Sequence, residues 1–156
     1  MPYADELFDS AVVLYRVSPE SQATLRRAVS TAYYALFHFL IEAACRNWSR
    51  PEQRPALARM FQHACMADAS NSRVGKHKNA VVGSTESRLY SVATAFFQLY
   101  QKRHKADYDL SSTFSARDVE LALGLVNDAF ADWSAIENEQ IAQDYLFSLL
   151  FKERKQ

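Results

Sequence analysis

Between Arg26 and Cys45 the chain reads RRAVSTAYYALFHFLIEAAC, with neither glycine nor proline. Its apolar residues fall on two neighbouring helical stripes. Leu25, Val29, Ala32, Leu36, Phe39 and Ala43 recur at alternating spacings of four and three, and Tyr33, Phe37, Leu40 and Ala44 run beside them. A helix with one apolar stripe lies on a surface, whereas two stripes require cover on more than one face. The segment from about Pro19 to Arg46 is therefore the central helix of an all-α bundle. The totals agree: three glycines and four prolines in 156 residues suit long helices, and a 49% hydrophobic fraction is that of a chain with a real core.

The remaining elements arrange themselves around that helix. Leu7, Ala11 and Leu14 predict a first helix over Tyr3 to Val17, and Ser18-Pro19 supplies a stop followed by an N-cap and first-turn proline. Asn47 to Pro51 breaks the second helix. A third is expected from about Glu52 to Ala67, with Leu57, Phe61 and Ala64 inward. Residues 69–83, ASNSRVGKHKNAVVG, are polar and locally basic and are expected to form a long irregular loop. The fourth helix starts near Ser84 and runs to about Lys105, its stripe of Leu89, Val92, Phe96 and Leu99 continued by Arg103. Ser115 and Asp118 form a capping box ahead of a fifth helix carrying Val119, Leu123, Val126, Phe130 and Trp133. The tail from Asn138 to Phe151 continues that helix or forms a sixth, and its apolar side chains need a cover. The expected fold is one domain, 1–156: an antiparallel four- to five-helix bundle over about 3–137 with an additional C-terminal helical segment, 138–156.

Charge and motifs narrow the function. Lys+Arg and Asp+Glu balance at 18 each, so the global basic character of a nucleic-acid binder is absent and only a local patch remains. Cys45 and Cys65 sit in apolar helical contexts and read as reduced packing residues. The acidic N-terminus is unlike a signal peptide, and no apolar run approaches the ~18–20 residues of a membrane span, so a soluble cytoplasmic protein with no membrane contact is expected. Glycine-rich phosphate loops, GxSxG, HExxH, EF-hand and Rossmann patterns are missing. Neither cofactor nor metal is expected.

The densest polar segment is Arg103-His104-Lys105-Ala106-Asp107-Tyr108. Arg103 and Asp107 share a helix face at i,i+4 and either close the helix as a salt bridge or line a site. In a site, the arginine fork suits a phosphate and Tyr108 can stack on a base. Arg27, Tyr34 and His38 form the polar side of the second helix and are expected to face that groove, although His38 also reads as a satisfied core histidine. Tyr33 and Phe37 read as core. Arg59 and His63, i,i+4 on the third helix, and Arg73 and His77, in the basic loop with Lys76 and Lys78, are further arginine–histidine pairs able to serve metal-independent RNA cleavage. Trp48 and Trp133 read as packing or interface anchors.

Three elements together resemble HEPN domains, especially small bacterial ones: Arg27-Ala-Val-Ser-Thr-Ala-Tyr-Tyr-Ala-Leu-Phe-His38 in the second helix, Lys76-His77-Lys78 in the middle loop, and Arg103 followed by Ala106-Asp107-Tyr108. Their order and spacing match across residues ~20–135. The resemblance implies an antiparallel bundle, commonly a homodimer, with the fourth-helix arginine near a shared cleft. HEPN proteins include metal-independent ribonucleases and toxins, and also inactive binding modules encoded beside a small nucleotidyltransferase. The active ones carry a histidine after four to six residues beyond the arginine. Here the corresponding positions are Tyr108, Asp109 and Leu110, while His104 is adjacent and points about 100° away on a helix. No catalytic histidine is carried over. The reading is a non-catalytic homodimeric HEPN-like module that binds a partner protein, such as a nucleotidyltransferase, or a nucleotide or RNA. Its candidate contacts are Arg103, Asp107, Tyr108, Arg27, Tyr34, His38, His77 and Lys78. Two alternatives stay open: an endoribonuclease toxin of a toxin–antitoxin or defence system, using Arg103 with His77 or His104, and a helical structural or regulatory protein with no ligand site.

Overall fold

The computed structural model describes residues 2–152. It is helical throughout, in the order α1 (Tyr3–Val17), α2 (Gln22–Cys45), a 3-10 turn (Pro51–Gln53), α3 (Arg54–Ala58), α4 (His63–His77), α5 (Thr85–Tyr108), α6 (Ala116–Ile136) and α7 (Gln140–Ser148). No strand occurs among the described residues.

The two stripes of α2 place it at the centre, packed against α1, α5 and α6 and, at its C-terminal end, against α3 and α7. Tyr33, Leu36 and Leu40 lose all exposed surface there. Burying side chains of this size stabilises by about 1.5–3 kcal/mol each, and Leu36→Ala is expected to cost about 2–5 kcal/mol. α2 is also long and apolar enough to pass for a membrane span by length and composition alone, but 67% of its apolar window is buried inside the bundle. Its cap is not the expected one. Ser18 instead terminates α1, its N–H reaching Leu14, and Ser21 caps α2 by accepting from the Thr24 amide. The Ser18-Pro19 pair therefore closes a turn ahead of the helix rather than opening it.

The expected third helix and basic loop are both corrected. The 3-10 turn and short α3 follow Pro51 and Pro55, the chain turns at Arg59 to Gln62, and α4 then runs through most of the supposed loop to His77. The inward face of α4 is built from Met66, Ala67, Ala69 and Ser70. Three of these four are small, so they leave almost no hydropathy signal, yet they let α4 approach α5 closely. The break also separates Arg59, exposed at the end of α3, from His63, the first residue of α4, so they are not an i,i+4 pair. The remaining turn ends at Gly83, whose φ of 84° suits a residue without Cβ, and Ser84 caps α5.

α5 runs antiparallel to α2 and ends later than expected, at Tyr108. A residue of α2 caps its end. Arg26 donates to the carbonyls of Ala106 (3.0 Å), Lys105 (3.4 Å) and Ser112, and its guanidinium lies over the Phe114 ring. Gln22 exchanges two hydrogen bonds with the Phe114 backbone. The capping box at Ser115 and Asp118 forms as expected and starts α6. The tail forms α7, and Ala142, Tyr145, Leu146 and Leu149 fold back onto the same chain. Tyr145 shares a 2.7 Å hydrogen bond with Ser70 of α4. Phe147 and Phe151 stay exposed.

Candidate functional site

Halfway along α2, Tyr33 and Tyr34 meet the C-terminal half of α5. Arg103 enters there as the continuation of an apolar stripe, so helical periodicity alone drives its guanidinium into the bundle. It is 7% exposed. The guanidinium carbon lies 5.2 Å from the Tyr33 ring centre and 5.8 Å from that of Tyr34, over their faces. Its nearest carboxylate is Asp107, one turn on, at 3.7 Å, which is an ion pair but beyond hydrogen-bond length. The Nε–H is buried without any acceptor. Among the described residues the Arg103 side chain thus makes no hydrogen bond, although buried polar groups are almost always paired. Asp107 is itself held at 3.4 Å by the Ser30 hydroxyl of α2.

The second feature is Tyr33 with His63. The Tyr33 hydroxyl lies 2.6 Å from His63 Nδ1, its one hydrogen-bond neighbour among the described residues. Burial pushes the Tyr33 phenol far above its ordinary range, against the opposing pull of Arg103, so it keeps its proton. That proton has Nδ1 as its acceptor. His63 is pushed below its ordinary value first by burial and then by the charge of Arg103, with His38 and His104 adding smaller amounts. It is neutral at pH 7, and the network assigns its proton to Nε2. Phe37 stacks on the imidazole at 4.1 Å and fixes the ring plane. His63 also heads α4, whose first turn has no side-chain cap, so the positive end of that helix further disfavours an imidazolium and favours an anion.

Aromatic rings extend the site in both directions. On one side Tyr34 continues to His38 (6.4 Å) and then Tyr3 (5.0 Å). On the other, Tyr33 neighbours Tyr100 (6.3 Å), followed by His104 (4.8 Å) and Tyr108 (5.7 Å). The two ends, Tyr3 and Tyr108, are open to solvent. Burial lowers the His38 pKa as well.

Of the residues singled out in the sequence, Arg103, Asp107, Tyr34 and His38 come together, with Tyr108 at the rim. Arg27 is not tied to them: one turn before Ser30 on α2, it is exposed and its side chain makes no ion pair or hydrogen bond among the described residues. His77 and Lys78 do not join them either. His77 sits beside Glu86 at the start of α5, with its pKa lowered by burial and by Arg73, and the helix from Glu86 to Arg103 is about 25 Å long. Tyr33, Ser30 and Tyr100 join the site without a sequence signal for it, and His63, which the sequence pairs with Arg59, joins it beside Tyr33 and Arg103 instead. Tyr33 is core by its stripe, and only its hydroxyl marks it as more. His63 is brought in by the chain turn before α4, which has no sequence signal beyond a short polar interruption. No group of three or more His, Cys, Asp or Glu side chains converges to hold a metal among the described residues.

What the arrangement can do follows from its donors. A desolvated guanidinium with free N–H groups, a neutral imidazole offering Nε2–H and the uncapped start of α4 all favour an anion, while exposed rings on either side offer stacking faces. No family model, curated protein or solved structure matches the chain.

Proposed function

We propose that this chain is a HEPN-like, non-catalytic module that binds a phosphate-bearing ligand with stacking bases, a nucleotide or a single-stranded RNA segment, at the Arg103 site. The observation that carries the reading is Arg103 itself: buried, positively charged and without a hydrogen-bond acceptor. A phosphate oxygen would supply what the fold leaves unmade. The ring series from Tyr3 to Tyr108 supplies base-sized surfaces on either side, in the manner of single-strand binding proteins. His63 supports binding over cleavage in the tautomer assigned from the Tyr33 contact, in which Nδ1 accepts from the phenol and Nε2–H is a donor rather than a base. Homodimerisation, a nucleotidyltransferase-type partner and a cytoplasmic location accompany the reading through the resemblance. The test is fluorescence anisotropy with a labelled single-stranded RNA in chelator. Wild type should bind without shortening the RNA, and Arg103→Met should bind at least tenfold more weakly while remaining folded; equal binding by the two proteins refutes the reading.

A second reading is favoured by one observation. His63 stands beside Arg103 with a depressed pKa, which supplies the arginine–histidine pair that residues 108–110 lack. A metal-independent ribonuclease toxin would use these two residues, with His63 in its other neutral tautomer, Nδ1–H donating to the Tyr33 hydroxyl oxygen and Nε2 free as the base. It predicts chelator-insensitive RNA cleavage abolished by His63→Ala and by Arg103→Met alike.

A further inference from the structure

His63 stands among residues of α2 and α5, and the charge around it is one-sided. From α2 it meets the Tyr33 hydroxyl at 2.6 Å, the stacked Phe37 ring at 4.1 Å and the Tyr34 ring edge-on at 5.8 Å. The charges that act on it are Arg103 and His104 of α5 and His38 of α2, each positive or made positive by acid. Tyr100 of α5 lies between Tyr33 and His104 and adds no charge. The acids are engaged or turned away. Asp107 of α5 is held by Arg103 and Ser30. Asp68, five positions along α4, is exposed and lies about 140° round the helix. Arg59 at the end of α3 is exposed, and Tyr145 of α7 is bonded to Ser70, two turns further along α4. The free protein therefore keeps His63 neutral, and an anion beside Arg103 would reverse the balance.

The Tyr33–His63 hydrogen bond can run in either direction. In the neutral pair the phenol donates to Nδ1. When a solvent proton is added at Nδ1, the imidazolium donates through both its N–H groups and the phenol oxygen becomes an acceptor. The phenol proton must then turn to a new partner, and Tyr33 is fully buried with no other hydrogen-bond neighbour among the described residues. Without a ligand the reversal leaves that O–H unpaired, which is costly. An anionic oxygen on the Arg103 guanidinium, whose carbon lies 5.2 Å from the centre of the Tyr33 ring, would supply the missing acceptor and the countercharge together.

We infer that ligand binding at the Arg103 site takes up one solvent proton at His63, by reversal of its hydrogen bond with Tyr33; the coupling rests on the anion-binding role proposed for Arg103. Binding then tightens as pH falls, because the bound state holds a proton that the free state refuses. The probe is a labelled oligouridylate in chelator, whose bases and phosphodiesters do not titrate where histidine does. Circular dichroism at each pH checks the fold. From about pH 8 to about pH 5.5 the wild type should bind about fivefold or more tightly in anisotropy titrations. Calorimetry in buffers of different ionisation heat should count more than about half a proton taken up per RNA near pH 6. His63→Asn, which still offers Tyr33 an amide oxygen, should lose most of the pH response, whereas His38→Asn and His104→Asn should keep it. NMR of the wild type, which needs no variant, should show the His63 pKa rising when RNA is added. Binding with a flat pH profile and no proton uptake, a slope that survives His63→Asn, or an unmoved His63 titration overturns the coupling and leaves the Arg103 site standing. Absence of binding across the whole range removes both.

Discussion

Replacing Arg103 by methionine should leave the protein as stable as before or more so. The guanidinium is 7% exposed, and the effective penalty for burying such an ion is several kcal/mol. Against it stand one ion pair at 3.7 Å to a partly exposed carboxylate, about 1 kcal/mol, and contacts over two tyrosine faces, about 0.5–2 kcal/mol together. No hydrogen bond of Arg103 is lost, because none is made among the described residues. Methionine keeps the apolar stem and can place its sulfur near the same rings, while Asp107 remains open enough to be hydrated. The balance favours the variant by about 1–3 kcal/mol. For a domain of this size each kcal/mol moves the Tm by about 2–4 °C, so scanning calorimetry should find an increase of several degrees. Loss of more than about 2 kcal/mol would refute the reasoning: Arg103 would then be a structural closure of α5, and the case for a ligand would fall with it. A gain in stability joined to a loss of binding is the signature of a residue kept for function.

Other expectations follow from the same geometry. Tyr33→Phe should cost about 1 kcal/mol and raise the His63 pKa measured by NMR, because the tyrosine proton stabilises the neutral ring; a fall would show that Nδ1 carries the proton instead. Asp107→Asn should tighten RNA binding severalfold in anisotropy titrations by removing the one carboxylate facing the phosphate. His38, His63 and His77 all sit below their ordinary value of 6.5 in the folded chain. The unfolded chain therefore takes up protons that the folded one refuses, and urea titrations should show stability falling as pH drops below about 6.5 and recovering above it. Ser115→Ala removes the α6 cap and should cost about 1 kcal/mol in the same assay.

The sequence announces the bundle most clearly where large side chains repeat. α1, α2, α5 and α6 are legible from Leu, Phe and Val at helical spacing, and the Ser115 capping box is legible from its two residues. α4 is not, because a helix that packs through alanine and serine looks like a polar loop to any reading based on hydropathy. The site divides in the same way. Arg103 and Asp107 are visible as an interrupted stripe with an i,i+4 partner. His63 is visible only with the wrong partner, Arg59, since its place depends on a chain turn at Arg59 to Gln62 that periodicity does not encode. Tyr33 belongs to the core as its stripe implies, and its second role rests on a single hydroxyl.

The neighbouring residues Arg26 and Arg27 meet opposite fates, one clamping three carbonyls at the end of α5 and the other left in water. A single residue inserted between Arg26 and Tyr33 would turn the clamp by about 100° relative to the tyrosines. The seven-residue spacing from Arg26 to Tyr33 therefore behaves as a fixed gauge: it sets how far Arg103 slides along α2 before the end of α5 is locked. Length changes should be tolerated in the turn from Ser18 to Ser21 and not within this span.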